Sequence, residues 1–142
     1  MRIGETAKRA EVGVETIRFY ELKGLIDQPP TPQNGGYREY SKYEVRRIRF
    51  IRSAQQLGFS LSEIADLLAL KTGTVARCVD VRERASTKLS EVNVKIDNLE
   101  RIKSALEALI DSCPGEGPAR DCSILEAIND GNLHLDIASK GD

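Results

Sequence analysis

Apolar positions along the chain form several short helical stripes and then one long one. Ile3, Ala7 and Ala10 are spaced four and three apart, one face of a helix over residues 3–10. Glu11-Val12-Gly13 reads as a turn. Val14, Ile17 and Leu22 continue the buried side along a second helix, Val14 to Lys23, which Gly24 stops. Two small helices about a short Gly-containing turn fit a helix-turn-helix, and also an ordinary helical hairpin. Residues 27–36 hold three Pro and two Gly and cannot be helical. Gly35-Gly36 before the alternating Tyr37-Arg38-Glu39-Tyr40 predicts a tight hairpin, a small wing of two short strands.

Ser41 with Glu44, and Ser60 with Glu63, have the spacing of capping boxes. Helices are therefore expected from Lys42 to about Leu57, ended by Gly58, and from Ser60 onward. Val45, Ile48, Ile51 or Arg52, and Gln55 mark the faces of the first. Leu61, Ile64, Leu67 and Leu68 supply the core face of the second. Thr74 to Ser112 contains no Gly and no Pro. Within it Ala85, Leu89, Val92, Ile96, Leu99, Lys103, Leu106 and Ile110 step alternately by four and three, and only Lys103 is polar. That is a heptad seam. A helix of ~35 residues is ~50 Å long, more than a small domain can bury, so a coiled-coil dimer is expected. Cys113 to Cys122 then brackets a loop with two Gly and two Pro. Ser123 to Ile128 reads as a short final helix stopped near Gly131. The expected architecture is mostly α: a winged helix-turn-helix over 1–72, a dimerisation helix over 74–112, a metal-binding loop and short helix over 113–130, and a tail over 131–142.

Composition sharpens this outline. The 142 residues are 40% hydrophobic and 30% charged, which argues against a disordered chain. No apolar run approaches the ~20 residues of a membrane span, and the first residues lack the apolar core of a signal peptide. A cytoplasmic protein with no membrane partner is the expectation. The net charge of −1 conceals an asymmetry: residues 1–58 carry +4 and residues 59–142 carry −5. An anionic partner such as nucleic acid would therefore meet only the first part. With a single His, no nucleophile–base pair and no phosphate-cradling glycine loop, an enzyme is disfavoured and no organic cofactor is expected.

The chemistry rests on three cysteines, Cys78, Cys113 and Cys122. A disulfide framework is a poor reading for a cytoplasmic chain with an odd thiol count. Cys78 and Cys113 are 35 residues, or five heptads, apart. On one straight helix they share a stripe but lie ~50 Å apart. Antiparallel pairing of two such helices brings Cys78 of one subunit near Cys113 and Cys122 of the other, and two-fold symmetry makes two such sites. Three thiolates without a nearby fourth ligand favour a soft, heavy ion over Zn(II), since the single His, His134, lies in the tail. Inert buried cysteines and a redox switch remain alternatives at this point; an iron–sulfur cluster is disfavoured by the wide spacing.

Three stretches carry a resemblance. They are Val14-Glu15-Thr16-Ile17-Arg18-Phe19-Tyr20-Glu21 with Gly24-Leu25-Ile26, then Gly36-Tyr37-Arg38 with Tyr40, then Leu57-Gly58-Phe59-Ser60-Leu61 with Glu63-Ile64. Together they resemble the MerR family of bacterial transcription regulators, over Ile3 to about Leu70. The second half is similar too: a long dimerisation helix followed by a metal loop. The three cysteines resemble those of the family's mercury-responsive members, with one Cys opening the helix and two flanking an eight-residue loop, here Pro114 to Asp121. This implies Hg(II) as effector, held by Cys78 of one subunit and Cys113 and Cys122 of the other, in a dimer that represses without metal and activates with it. Ser123 stands where mercury regulators often carry Pro. Cys122 to Ala127 looks more like the zinc-responsive branch, although the adjacent cysteines and loop His of that branch are absent. Lead- and cadmium-responsive relatives use much the same cysteines, so Pb(II) or Cd(II) is the alternative effector. The resemblance further implies double-stranded promoter DNA and RNA polymerase as partners. Arg18 in the recognition helix is the leading base or phosphate contact, with Thr16, Tyr20 and Lys23 beside it. Tyr37, Arg38, Arg46, Arg47 and Arg49 are the expected phosphate contacts. A thiol redox-sensing regulator and a coiled-coil scaffold are the rival classes.

Overall fold

The computed structural model describes residues 1–131 and 133. It divides into two compact units, one spanning Met1–Glu83 and the other beginning at Arg84.

In the first unit, α1 (Ile3–Ala10), α2 (Val14–Leu22), α3 (Lys42–Gln56) and α4 (Leu61–Thr72) share one core. Helix α1 packs on both α2 and α3, and α3 packs on α4. The core is built from Ala7 and Ala10, Ile17 and Tyr20, Val45, Ile48 and Ile51, and Ile64 and Leu68, closed by Leu25, Ile26 and Tyr40. Successive core positions on each helix are three or four apart, as the apolar stripes require. Leu22 departs from the expected buried side: it is 81% exposed. Five positions beyond Ile17, it lies ~140° around the helix from it. Tyr20, three positions on, takes the inward place.

Chain reversals follow from the caps. Gly24, at φ 75°, follows α2; its N–H reaches Glu21 O and the N–H of Leu25 reaches Tyr20 O. Gly58, at φ 91°, does the same after α3, with Gly58 N–H on Gln55 O and Phe59 N–H on Ala54 O. Both are Schellman closures, in which glycine takes the left-handed place without a Cβ penalty. After α1, Glu11 holds that place at φ 58°, with Val12 N–H on Ala7 O. Gly13, at φ −82°, is the N-cap of α2, so it is not the left-handed residue of the turn. Both capping boxes form. Ser41 N–H donates to Glu44 at 2.6 Å, and Ser60 N–H donates to Glu63 at 2.7 Å. The Ser60 Oγ accepts from Glu63 N–H at 3.2 Å.

The wing contains no strands; there are none among the described residues. Pro29, Pro30 and Pro32 have no N–H to offer a ladder. A turn closed by Gly35 N–H on Pro32 O at 3.1 Å reverses the chain instead. The Arg38 Nε then donates to Pro29 O at 2.8 Å, tying the returning limb to the outgoing one.

Helix α5 runs Cys78–Ser112, starting four residues later than the uninterrupted stretch from Thr74 suggested. Gly73 is extended at ψ 141°, and Arg77 N–H donates to the Asp80 carboxylate at 2.8 Å, which sets the first turn. No residue of α5 is buried. Leu89, Ile96, Leu99, Leu106 and Ile110 along the expected seam are 48–63% exposed. A 3₁₀ turn, Ala119–Asp121, and α6, Ser123–Asp130, follow. Gly131, at φ 67°, ends α6. No helix among the described residues is long and apolar enough to cross a membrane. His134 and most of the expected tail lie outside the described residues.

Candidate nucleic-acid interface and thiol site

The basic face of the first unit is built on α2 and the wing. Gly13 opens α2, and the Ile17–Tyr20 stripe presses one side into the core, which leaves Arg18 and Lys23 exposed and Thr16 half-buried on the outside. The Lys23 ammonium lies 5.5 Å over the Phe19 ring. Arg18 borders a groove of about 740 Å³ together with Arg2, Gln28, Tyr37 and Arg38. Tyr37 is 66% exposed, and the Arg2 guanidinium stacks 3.9 Å above its ring. Glu5, Glu21 and Glu39 line the same groove, with Glu21 and Glu39 engaged by Tyr40 and the Met1 amine. Three guanidinium groups and an exposed phenol thus share this concave surface with three carboxylates and can offer a phosphate backbone individual donors there.

Two clamps hold the wing, one to α2 and one to the chain start. The Tyr40 hydroxyl donates to the Glu21 carboxylate at 2.8 Å, joining the wing's return to α2. Burial first, then the bond and charge of Glu21, push the Tyr40 phenol up to about 12. At the chain start, the Met1 amine donates to Glu39 at 2.8 Å and holds the Glu39 carboxyl below the ordinary carboxylate range.

The expected DNA residues separate into three groups. Arg18, Lys23, Tyr37 and Arg46 are exposed, and Thr16 is half-buried. Arg38 and Arg47 use their Nε internally, on Pro29 O and on Leu25 O at 2.9 Å, and Arg47 also donates to the Tyr43 hydroxyl. Arg49 likewise reaches Arg9 O. Arg38 and Arg49 brace the fold with one nitrogen each and Arg47 with two, whatever else their guanidinium groups meet. Tyr20 is a correction. It is 1% exposed, and its hydroxyl donates to Gln55 at 2.6 Å, so it belongs to the core and offers DNA nothing. Its spacing of three from Ile17 was the signal. Sequence reasoning missed Arg2, whose place just before α1 puts it over Tyr37, and it missed the Glu21–Tyr40 clamp, which spans 19 positions.

The thiols divide between the two units. Cys78 is the exposed first residue of α5. Cys113 follows the last residue of the same helix, and its N–H donates to Ile110 O at 3.1 Å. Cys122 is the N-cap of α6. The eight-residue loop returns so that Cys113 Sγ and Cys122 Sγ stand 4.0 Å apart, both half-buried. Gly115 and Gly117, at φ 76° and 99°, make that return possible. Ser123 Oγ donates to Ser112 O at 3.3 Å, fixing the base of the loop. The N–H groups of Leu125 and then Ile124, at the start of α6, hold the Cys122 thiol below the usual range. Two Zn–S bonds of ~2.3 Å at a tetrahedral angle would put two sulfurs ~3.8 Å apart, and longer bonds to a heavier soft ion widen that gap. The pair therefore fits two ligands of one soft cation. Among the described residues no three metal-ligating side chains of one chain come together.

The model of the MerR HTH family regulatory protein matches residues 1–71, and that described as MerR, DNA binding, matches residues 45–109. The mercuric resistance operon regulatory protein of Pseudomonas fluorescens is 41% identical over 131 residues, 92% of this chain and 89% of the relative. The transcription regulator PbrR691 from Ralstonia metallidurans CH34, solved in complex with lead(II), superposes with a TM-score of 0.79 at 32% identity, covering 90% of this chain and 98% of that one. The dual function regulator MerR of Bacillus megaterium MB1, solved with mercury(II), gives a TM-score of 0.68 at 35% identity, covering 91% and 99%. Helix order, basic face and family matches over both halves agree, and the chain belongs to the MerR family of helix-turn-helix transcription regulators.

Proposed function

We propose that this MerR-family regulator binds promoter DNA as a homodimer, represses without metal, and activates a mercury-resistance operon when Hg(II) binds. The observation that carries the reading is the loop that holds Cys113 and Cys122 at 4.0 Å. A soft ion there has two thiolates from one chain, and Cys78 of a second chain is the natural third. The exposed heptad seam of α5 supports an antiparallel coiled coil that would bring it there. The metal supplies thiophilic bonds that hold one dimer arrangement in preference to another.

The protein's own residues would do the rest. Arg18, with Thr16 and Lys23, enters the major groove from α2. Arg2, Tyr37, Arg38, Arg46 and Arg47 set the backbone register. A change in the angle between the two DNA-binding units bends and underwinds the promoter between its polymerase elements. Metal affinity is thereby exchanged for DNA deformation. Likeness to a mercuric regulator and to a mercury(II) complex supports mercury. A second reading, a lead- or cadmium-responsive regulator, is favoured by the higher TM-score with the lead(II) complex.

The test is promoter activation by purified protein and RNA polymerase under Hg(II), Pb(II), Cd(II) and Zn(II) in turn. Activation at the lowest concentration by Hg(II) is the expected result. Preference for Pb(II) or Cd(II) would establish the second reading, and response to oxidant without metal would sink both.

A further inference from the structure

We propose that the Cys113–Cys122 pair is a complete binding site, within one chain, for monosubstituted trivalent arsenicals, R–As(OH)₂ or the anhydride R–As=O. Such a ligand silences the regulator rather than triggering it. The binding rests on the pair's geometry alone. The silencing also rests on the reading that activation requires a third thiolate from Cys78 of a second chain.

A soft trivalent cation with one carbon substituent has two valences left to offer. Here two thiols of one loop stand 4.0 Å apart, and no third metal-ligating side chain of the same chain, among the described residues, joins them. Ligand and site therefore match in number. Two As–S bonds form and two As–O bonds break. The two thiol protons leave with the displaced oxygen as water, and arsenic stays trivalent, so no oxidant or reductant is needed.

Closing the ring draws the sulfurs slightly together. The loop permits this: Gly115 and Gly117 carry its bends, and a Cβ at either would meet nothing within 4 Å. Both thiols are only half-buried, which leaves them accessible to a reagent that carries an organic substituent. Once one sulfur is bonded, the second sees arsenic at an effective concentration in the millimolar range, which makes the pair tighter than a lone thiol by ~100-fold or more. A filled arsenic has no valence for a further thiolate, so an adduct occupies the site without recruiting Cys78.

The test uses the full-length reduced protein and phenylarsine oxide. Native mass spectrometry and thiol counting should show one phenylarsenic group per chain and loss of two of the three thiols. Cys78→Ser should keep the adduct, while Cys113→Ser and Cys122→Ser should need ~100-fold more reagent. A dithiol should strip the adduct where a monothiol at equal thiol concentration does not, a chelate signature that needs no variant. Loss of the adduct in Cys78→Ser, or its retention in Cys113→Ser, overturns the site. In the promoter assay, the preloaded protein should stay inactive and no longer answer Hg(II). Activation by the arsenical itself overturns the silencing. If Hg(II) fails to activate the untreated protein while the adduct forms as described, the mercury reading fails and the dithiol site stands.

Discussion

Tyr40 shows how one side chain joins structure to pH. Its phenol is buried and donates to Glu21, so the folded state keeps the proton up to about 12, against an ordinary 10.0. A raised folded value contributes stability in full below pH 10, and loses it as pH climbs through about 12. Thermal melts of the protein from pH 9 upward should therefore fall steeply over that window. Tyr40→Phe should flatten the fall, because the phenylalanine has no proton to lose. Tyr20, also raised by burial, contributes in the same direction but lacks the carboxylate partner. Glu11 makes the opposite kind of point. It holds the left-handed place after α1 at φ 58°, where the Cβ is a penalty. Glu11→Gly should raise stability by roughly 0.5–1 kcal/mol, the relief of strain less the added freedom of the unfolded chain. Urea denaturation with an unchanged slope would measure it; a loss of stability would show that Glu11 makes a contribution beyond its backbone shape.

Elements in this chain are bounded by polar residues more than by apolar ones. Ser60 and Glu63 start α4 just after the Gly58 reversal, and α4 brings Ile64 and Leu68 onto the core. Ser60→Ala removes the acceptor for Glu63 N–H and should cost about 1 kcal/mol of stability. Denaturation of the full chain would detect this as a lower midpoint, and an effect under the measurement error would mean that Glu63 alone secures the helix start. The same elements show what a linear reading can see. Both capping boxes, the Gly24 and Gly58 stops and the α3 stripe from Val45 to Ile51 were legible, because each depends on residues within a few positions of one another. Beyond Ile51 the buried residue is Ala54 and not the expected Gln55, which is exposed. The wing was misread for a reason of the same kind: the alternation over Tyr37–Tyr40 was visible, yet a ladder needs donors on both limbs, and prolines occupy the other. Leu22 and Tyr20 exchanged roles because α2 is short, and five positions turn a side chain away from the core where three do not.

At the scale of the whole molecule, the long helix is the feature that a single chain leaves unfinished. Its seam leucines and isoleucines are exposed and its buried set is empty. A second copy is the economical way to cover a stripe of this length. If the thiols are shared between subunits, Cys78→Ser and Cys113→Ser proteins should each lose Hg(II) response. Dimers formed by mixing and refolding the two should regain one intact site in each heterodimer. Hg(II)-dependent promoter activation would read this directly, with recovery in the heterodimer fraction and none in either parent. No recovery would place all three ligands in one chain, or none.

The sequence by itself determined the helix order, the caps, the basic first part and the three thiols, because these follow from local spacing and from charge, which neighbours along the chain decide. Tertiary structure decided which residues face where. It placed Tyr20 in the core and Leu22 outside, set Arg38, Arg47 and Arg49 to bracing the fold, stacked Arg2 on Tyr37, and closed the loop until Cys113 and Cys122 stood 4.0 Å apart. Those outcomes depend on contacts across 9 to 40 positions and on backbone donors that prolines withhold. They exist only once the chain has folded back on itself.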